Sequence, residues 1–222
     1  MRVNLKEILK KYESGNKKSE DKQVPFFTLK KDGESATVRF LVKDVDDLGK
    51  YVFETHKVKI GDYDNFVKCT GNDCVCCRET RTSLRMFVPV FNLKTNQVEI
   101  WGRGMTEIKA IMNLIDKYGK KFGDLYNCVF EIKRNGGKGD TNTSYSILFE
   151  DNDALENVES LLDEVPSLVG RNFRYVLDLT PEQQADVLVT KQLTWTKKEE
   201  NTEESVFLLI RRVGLLVLPL IF

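Results

Sequence analysis

A mainly β fold with one intercalated helix is the architecture this sequence predicts, and three observations carry it. Between about residues 30 and 150, short runs of alternating apolar and polar residues recur, bounded by Gly, Asn and Asp. Within that stretch one window, around residues 108–115, has the three-to-four-residue spacing of an amphipathic helix. Apolar residues make up 41% of the 222, enough for a real core, and no long apolar run is free of charged residues. At this length the chain reads as one domain with appendages, or as two small ones.

The elements follow in order. Leu5, Ile8, Leu9 and Tyr12 form a short helical stripe with Lys6, Lys10 and Lys11 on its polar side. With the polar stretch 14–23 they make a basic N-terminal helix and linker over residues 1–29, which lacks the apolar region of a signal peptide. Ala36–Val42 alternates, with Val38, Phe40 and Val42 on one face and Thr37, Arg39 and Leu41 on the other. Tyr51–Ile60 does so too: Val52, Glu54, His56 and Val58 on one side, Tyr51, Phe53, Thr55, Lys57 and Lys59 on the other. A loop over about residues 56–77 holds most of the cysteines.

Arg85–Leu93 and Gln97–Arg103 then read as a hairpin around Lys94-Thr95-Asn96. One face carries Met86, Val88, Val90, Val98 and Ile100; the other carries Arg85, Phe87, Phe91, Trp101 and Arg103. A helix with Ile108, Ile111, Met112 and Ile115 on its stripe ends near Gly119. Cys128–Arg134 and Thr143–Phe149 are two more strands, joined by the glycine-rich loop 135–140. Small β cores with one inserted helix include the five-stranded OB-fold barrel, which often binds single-stranded nucleic acid; another small barrel or a sandwich has the same element count. The core domain over residues 30–150 thus has the element count of an OB-fold-like five-stranded barrel, of another small barrel or of a sandwich, with a metal-binding loop inserted.

Residues 151–205 are acidic and helical in pieces, Pro181-Glu182-Gln183-Gln184 opening one helix. Residues 206–222 are mostly Leu, Val, Ile and Phe, yet Arg211, Arg212, Gly214 and Pro219 interrupt them, so the tail is a poor membrane span and carries no assigned function. The zero net charge conceals an asymmetry: +3 over residues 1–29, +4 over 30–145, −9 over 146–205 and +2 over the tail. A basic front and acidic rear suit a polyanion-binding body and a C-terminal region that partners or competes for the same surface; a merely uneven solvated surface is the plainer alternative.

The most restrictive feature is the set His56, Cys69, Cys74 and Cys77, separated by twelve, four and two residues, which uses the single histidine and three of five cysteines. Thiolate and neutral imidazole are zinc ligands, and Cys-x-x-Cys supplies two tetrahedral corners from one turn. Cys76 adjoins Cys77; neighbouring side chains diverge, so Cys74 with Cys77 is the better knuckle. Four protein ligands leave no open position for an activated water, so the site reads as one structural zinc ion. The competing reading is a set of reduced thiols, or a disulfide between close neighbours. Clustered reduced cysteines place the chain in the cytoplasm.

Binding single strands without reading sequence takes aromatic faces for bases and cations for phosphates. The inferred outward faces interleave them: Tyr51, Phe53, Lys57 and Lys59 on one strand, Arg85, Phe87, Phe91, Trp101 and Arg103 on the hairpin, with Arg39, Lys133, Arg134 and Tyr145 extending the groove. For any single ring, a core position is the alternative. No catalytic constellation accompanies them: the one histidine is committed to metal, no G-x-S-x-G or P-loop spacing occurs, and Asp44-Val45-Asp46-Asp47 reads as a solvated turn. The chain is expected to be no enzyme.

His56-x12-Cys69 followed by Cys74-x2-Cys77 ahead of two strands resembles the zinc-containing single-stranded-DNA-binding, or helix-destabilising, proteins of T-even-like phages. Ala36-Thr37-Val38-Arg39-Phe40-Leu41 before the loop and Gly61-Asp62-Tyr63-Asp64 inside it are also similar to that family. The resemblance covers roughly residues 30–150. It implies an OB-fold core with a zinc subdomain and cooperative coating of single-stranded DNA during phage DNA replication, recombination and repair. It also implies self-association through a basic N-terminal segment and recruitment of replication proteins by an acidic C-terminal region. The alternative is a zinc-stabilised protein-interaction module acting as a replication accessory factor, with RNA in place of DNA as a variant of the first reading.

Overall fold

The computed structural model describes residues 24–137, 139–140, 143–171 and 175–194. The N-terminal helix at 5–12, the linker at 14–23, the end of the acidic region and the apolar tail 206–222 lie outside those residues. In chain order the strands are β1 (Ser35–Phe40), β2 (Val52–Ile60), β3 (Tyr63–Lys68), β4 (Thr82–Asn92), β5 (Gln97–Arg103), β6 (Cys128–Asn135), β7 (Ser144–Asn152), β8 (Val169–Gly170) and β9 (Val176–Leu177). The helices are α1 (Val45–Gly49), α2 (Met105–Leu114), α3 (Val158–Leu162) and α4 (Pro181–Thr190). The fold is mainly β, with an open strand order and few helices. Among the described residues no helix is long and apolar enough to cross a membrane.

The chain divides into two compact units, each discontinuous in sequence: Met1–Val52 with Met86–Ser167, and Phe53–Arg85 with Leu168–Phe222. In the first, antiparallel ladders run in the order β7-β6-β1-β4, with β5 also on β4. Val38, Phe40 and Val42, the apolar face expected of the first strand, are buried together with Met86, Val88, Val90, Phe130 and Ile132. Ile108, Ile111 and Ile115 of the helix close over this core, while Met112, expected on the same stripe, is exposed. α2 passes through a π turn at Ile115–Gly119 and ends in Lys120–Phe122. Residues 24–29 run beside β5, Phe27 N–H donating to Ile100 O at 2.9 Å and Ile100 N–H to Pro25 O at 2.9 Å. Phe27 and Leu29 thereby join the core.

One expectation about this unit is overturned. The hairpin was to carry Val98 and Ile100 on the face of Met86, Val88 and Val90, leaving Phe87 and Trp101 outward. Instead Val88 lies opposite Trp101, Met86 opposite Arg103 and Phe87 opposite Gly102. The connection, Leu93–Asn96, is four residues long, and Asn96 takes the left-handed conformation at φ 54. That length sets a register in which even positions of β4 face odd positions of β5. A one-residue error in register moves every side chain to the other face. Trp101 is consequently 0% exposed, its ring 5.9 Å from Phe40 and 6.1 Å from Phe27. Phe87 is buried on the other face, where the ring leaves almost no room over Gly102: a Cβ there would come within 3.1 Å of it.

In the second unit the ladder order is β4-β2-β3-β9-β8, β4 contributing its first residues, Thr82–Arg85. β2 and β3 form a tight hairpin over Gly61-Asp62, where Gly61 adopts φ 58. β3 falls in a stretch read from sequence as loop. Its residues are mostly polar, only Val67 is fully buried, and backbone pairing with β2 rather than apolar alternation makes it a strand. β9 runs parallel to β3, Val67 opposite Leu177. α4 begins where Pro181 suggested, with Thr180 and Gln183 in a reciprocal capping box. A small core joins Val58 and Val67 to Cys74, Cys76, Leu177, Leu179, Val187 and Leu188.

Candidate metal centre and its surroundings

The hairpin of the second unit and the turns after it bring four candidate ligands together. His56 points from β2 to the inner face, opposite Val67, and is 0% exposed. Cys69 follows β3 directly, its N–H donating to Glu54 O at 2.8 Å and extending the ladder by one step. A turn at Gly71–Asp73 and a second at Val75–Arg78 then bring Cys74 and Cys77 around. The four ligand atoms all lie within 4.8 Å of one another.

His56 Nε2 is 3.3 Å from Cys74 Sγ and 3.4 Å from Cys77 Sγ, and Cys69 Sγ is 3.7 Å from Cys77 Sγ. A tetrahedral ion with metal–sulfur bonds of about 2.3 Å has S···S edges of roughly 3.8 Å, so the set is already close to ligating dimensions. The same separation excludes a Cys69–Cys77 disulfide, and all five cysteines are free. Cys76 sits in the small core and outside the converging set, and burial pushes its thiol up to about 12. At Cys74 burial opposes the thiolate, but backbone hydrogen bonds at Thr70 and Cys77 and contacts from the Cys77 and Cys69 thiols outweigh it, and the pKa falls to about 6. One ligand thus ionises readily; a bound cation deprotonates coordinating thiols outright.

Two supporting residues were not apparent from the sequence. Thr80 Oγ1 donates to Cys76 O at 3.1 Å and lies 3.0 Å from His56 Nδ1. With its single proton spent on the carbonyl, the hydroxyl accepts from Nδ1–H, which leaves the Nε2 lone pair facing the thiols. Gln184 reaches the Cys-x-x-Cys turn from α4, its Oε1 accepting from Val75 N–H at 3.0 Å. A threonine three residues past Cys77 is at most a faint local signal. Gln184 lies 110 residues from Cys74 in the chain, and nothing local announces it.

The residues expected to contact nucleic acid separate into three groups. Arg39, Phe87 and Trp101 are buried in the first unit and offer no face to a ligand. Arg39 is instead structural: Nη1 donates to Asp153 O at 2.6 Å and to Tyr126 O at 3.3 Å, and the guanidinium pairs with the Asp153 carboxylate. Tyr51 is half-buried against the core, and Phe91 is half-buried. Arg103 and Tyr145 do come together: the guanidinium lies 4.2 Å from the ring centroid, and Arg103 Nη2 and Arg134 Nη1 both donate to the phenol oxygen, at 2.5 and 3.2 Å. Lys133 is exposed on the neighbouring strand.

The third group lies on the second unit. Phe53, Lys57 and Lys59 share the face of β2 opposite His56, as expected. Lys57 stands opposite Phe66 of β3, Lys68 is on the same face, and Arg85 lies over the Phe66 ring at 4.8 Å. Phe66 and Lys68 escaped the sequence reading because β3 did. Lys57 pairs with Asp64 at 2.7 Å and Lys68 with Asp178 at 3.5 Å; both are exposed pairs of small energetic weight.

No known protein-family model matches this chain, and no curated protein matches it.

Proposed function

We propose that the chain is a non-enzymatic single-stranded-DNA-binding protein whose structural zinc fixes the hairpin that presents part of the binding surface. The observation that carries this reading is the two-sided β2–β3 hairpin. Its inner face bears His56 beside the cysteines, and its outer face sets Phe53 and Phe66 among Lys57, Lys59, Lys68 and Arg85. A His/Cys3 donor set suits zinc over harder ions, and four protein ligands leave it a structural rather than a catalytic role. The antiparallel order of β5-β4-β1-β6-β7 is what supports an OB-fold-like barrel in the first unit. The motif's similarity to T-even-like phage helix-destabilising proteins extends the reading to coating of single strands in phage replication, recombination and repair. It extends it also to self-association and to recruitment of replication proteins through the acidic C-terminal region.

Rings on a sheet face stack on any base, worth about 1–3 kcal/mol per base, and phosphate contacts add a salt-dependent part. Two to four such contacts predict a slope of log K against log salt of about −1.4 to −2.8 for this face alone. Titration of dye-labelled oligo-dT by fluorescence anisotropy at two salt concentrations is the test. Phe53→Ala and Phe66→Ala should each weaken binding by about fivefold or more while the protein stays folded. Absence of wild-type binding at low salt would defeat the reading. A protein captured after nuclease treatment by a chain that ignores oligo-dT would favour an interaction module instead.

A further inference from the structure

Gln184 is 0% exposed, an unusual position for an uncharged amide, and all of its hydrogen-bonding capacity is engaged. Nε2 donates to Leu179 O at 3.3 Å and Thr70 Oγ1 at 3.4 Å, bonds that anchor the side chain at the start of α4 and to the residue after Cys69. Oε1 accepts from Val75 N–H at 3.0 Å and Cys76 N–H at 3.4 Å, and lies 3.4 Å from Cys74 Sγ. Val75 and Cys76 are the two residues between the paired ligands Cys74 and Cys77. One amide therefore grips the backbone of the Cys-x-x-Cys turn from a distant part of the chain.

We infer that Gln184 is a positioning residue of the metal centre, and that through it the metal and helix α4 hold one another in place; this rests on the metal reading of His56, Cys69, Cys74 and Cys77. The amide fixes the turn that sets the Cys74–Cys77 separation, so the ion meets a preformed knuckle. Coupling between two sites is reciprocal: what α4 contributes to metal affinity, the metal contributes to the docking of α4. The small core agrees, since Cys74 and Cys76 of the knuckle pack with Val187 and Leu188 of the helix and with Leu177 and Leu179 before it. The stretch 177–190 of the acidic C-terminal region is thereby built into the metal unit, so metal loss would release it.

The test uses the full chain and three measurements. Gln184→Met keeps the volume and removes every hydrogen bond; Val187→Ala loosens the packing of the same helix while leaving the Gln184 hydrogen bonds to the turn in place. Zinc transfer to a chromogenic chelator should be about tenfold to a hundredfold faster in Gln184→Met than in wild type. With Co²⁺ in place of zinc, the visible d–d band, which reports coordination geometry, should shift in Gln184→Met and stay in place in Val187→Ala despite its lower melting temperature. In the wild-type chain, chelation should speed amide hydrogen exchange over residues 181–190 and leave β6 unchanged; this holds even if Gln184→Met fails to fold. Wild-type release and an unshifted band in Gln184→Met, or unchanged exchange in α4 after chelation, would overturn the inference. A wild-type chain that takes up neither zinc nor Co²⁺ would remove the metal reading itself, a separate and recognisable failure.

Discussion

At His56 the choice between ring nitrogens follows from the proton count at Thr80. The hydroxyl has one hydrogen, given to Cys76 O, so it orients the imidazole by accepting from Nδ1. Thr80→Val should therefore weaken metal affinity about tenfold or more with little change in fold, measured by chelator competition; an unchanged affinity would mean that the hairpin alone orients the ring. Cys76→Ala should retain the metal, because its sulfur is not among the four ligand atoms that converge, and should lose only stability from the vacated volume. The cluster of His56, Cys69, Cys74 and Cys77 was legible in the sequence because metal chemistry demands particular residue types at short spacing. Thr80 and Gln184 were not, because a hydroxyl or an amide acquires its role from where the fold brings it.

At the scale of elements, alternation identified β1, β2, β4, β5, β6 and β7, and the three-to-four-residue period identified α2 between β5 and β6, since each buries an apolar face whose period survives in the residues. It failed where the backbone rather than side-chain burial makes the element, as in β3, and in the two-residue strands β8 and β9. Register was the subtler loss. Which face of β5 meets the core depends on the length of Leu93–Asn96, and one residue there decides between a stacking ring and a core ring. Trp101 is accordingly a core residue: Trp101→Ala should destabilise the first unit by about 3–5 kcal/mol in chemical denaturation. A variant that stays as stable as wild type but loses oligo-dT would place the indole at the surface after all.

For the molecule as a whole, the sequence reads as consecutive segments, a core over residues 30–150 followed by an acidic region, whereas the compact units interleave. The described residues from Leu168 to Thr194 belong with Phe53–Arg85, and Leu177, Leu179, Val187 and Leu188 among them pack with Cys74 and Cys76. These four residues of the acidic region are thus part of a packed core, and its helix α4 hydrogen-bonds to the knuckle. No local pattern predicts such a pairing of distant segments, because it is settled by which small apolar faces find each other. The inner face of the β2–β3 hairpin carries His56 beside the cysteines and the outer face has rings and cations, and both depend on the same two strands. Removing the ion should therefore loosen the second unit and weaken oligo-dT binding together.

The claim on which this depends is that His56, Cys69, Cys74 and Cys77 close around one ion. Native mass spectrometry of the full chain, purified without chelator, measures it directly. The account predicts one zinc per chain, with Cys69, Cys74 and Cys77 protected from alkylation until the metal is stripped. A folded, metal-free chain whose three thiols alkylate at once would contradict it.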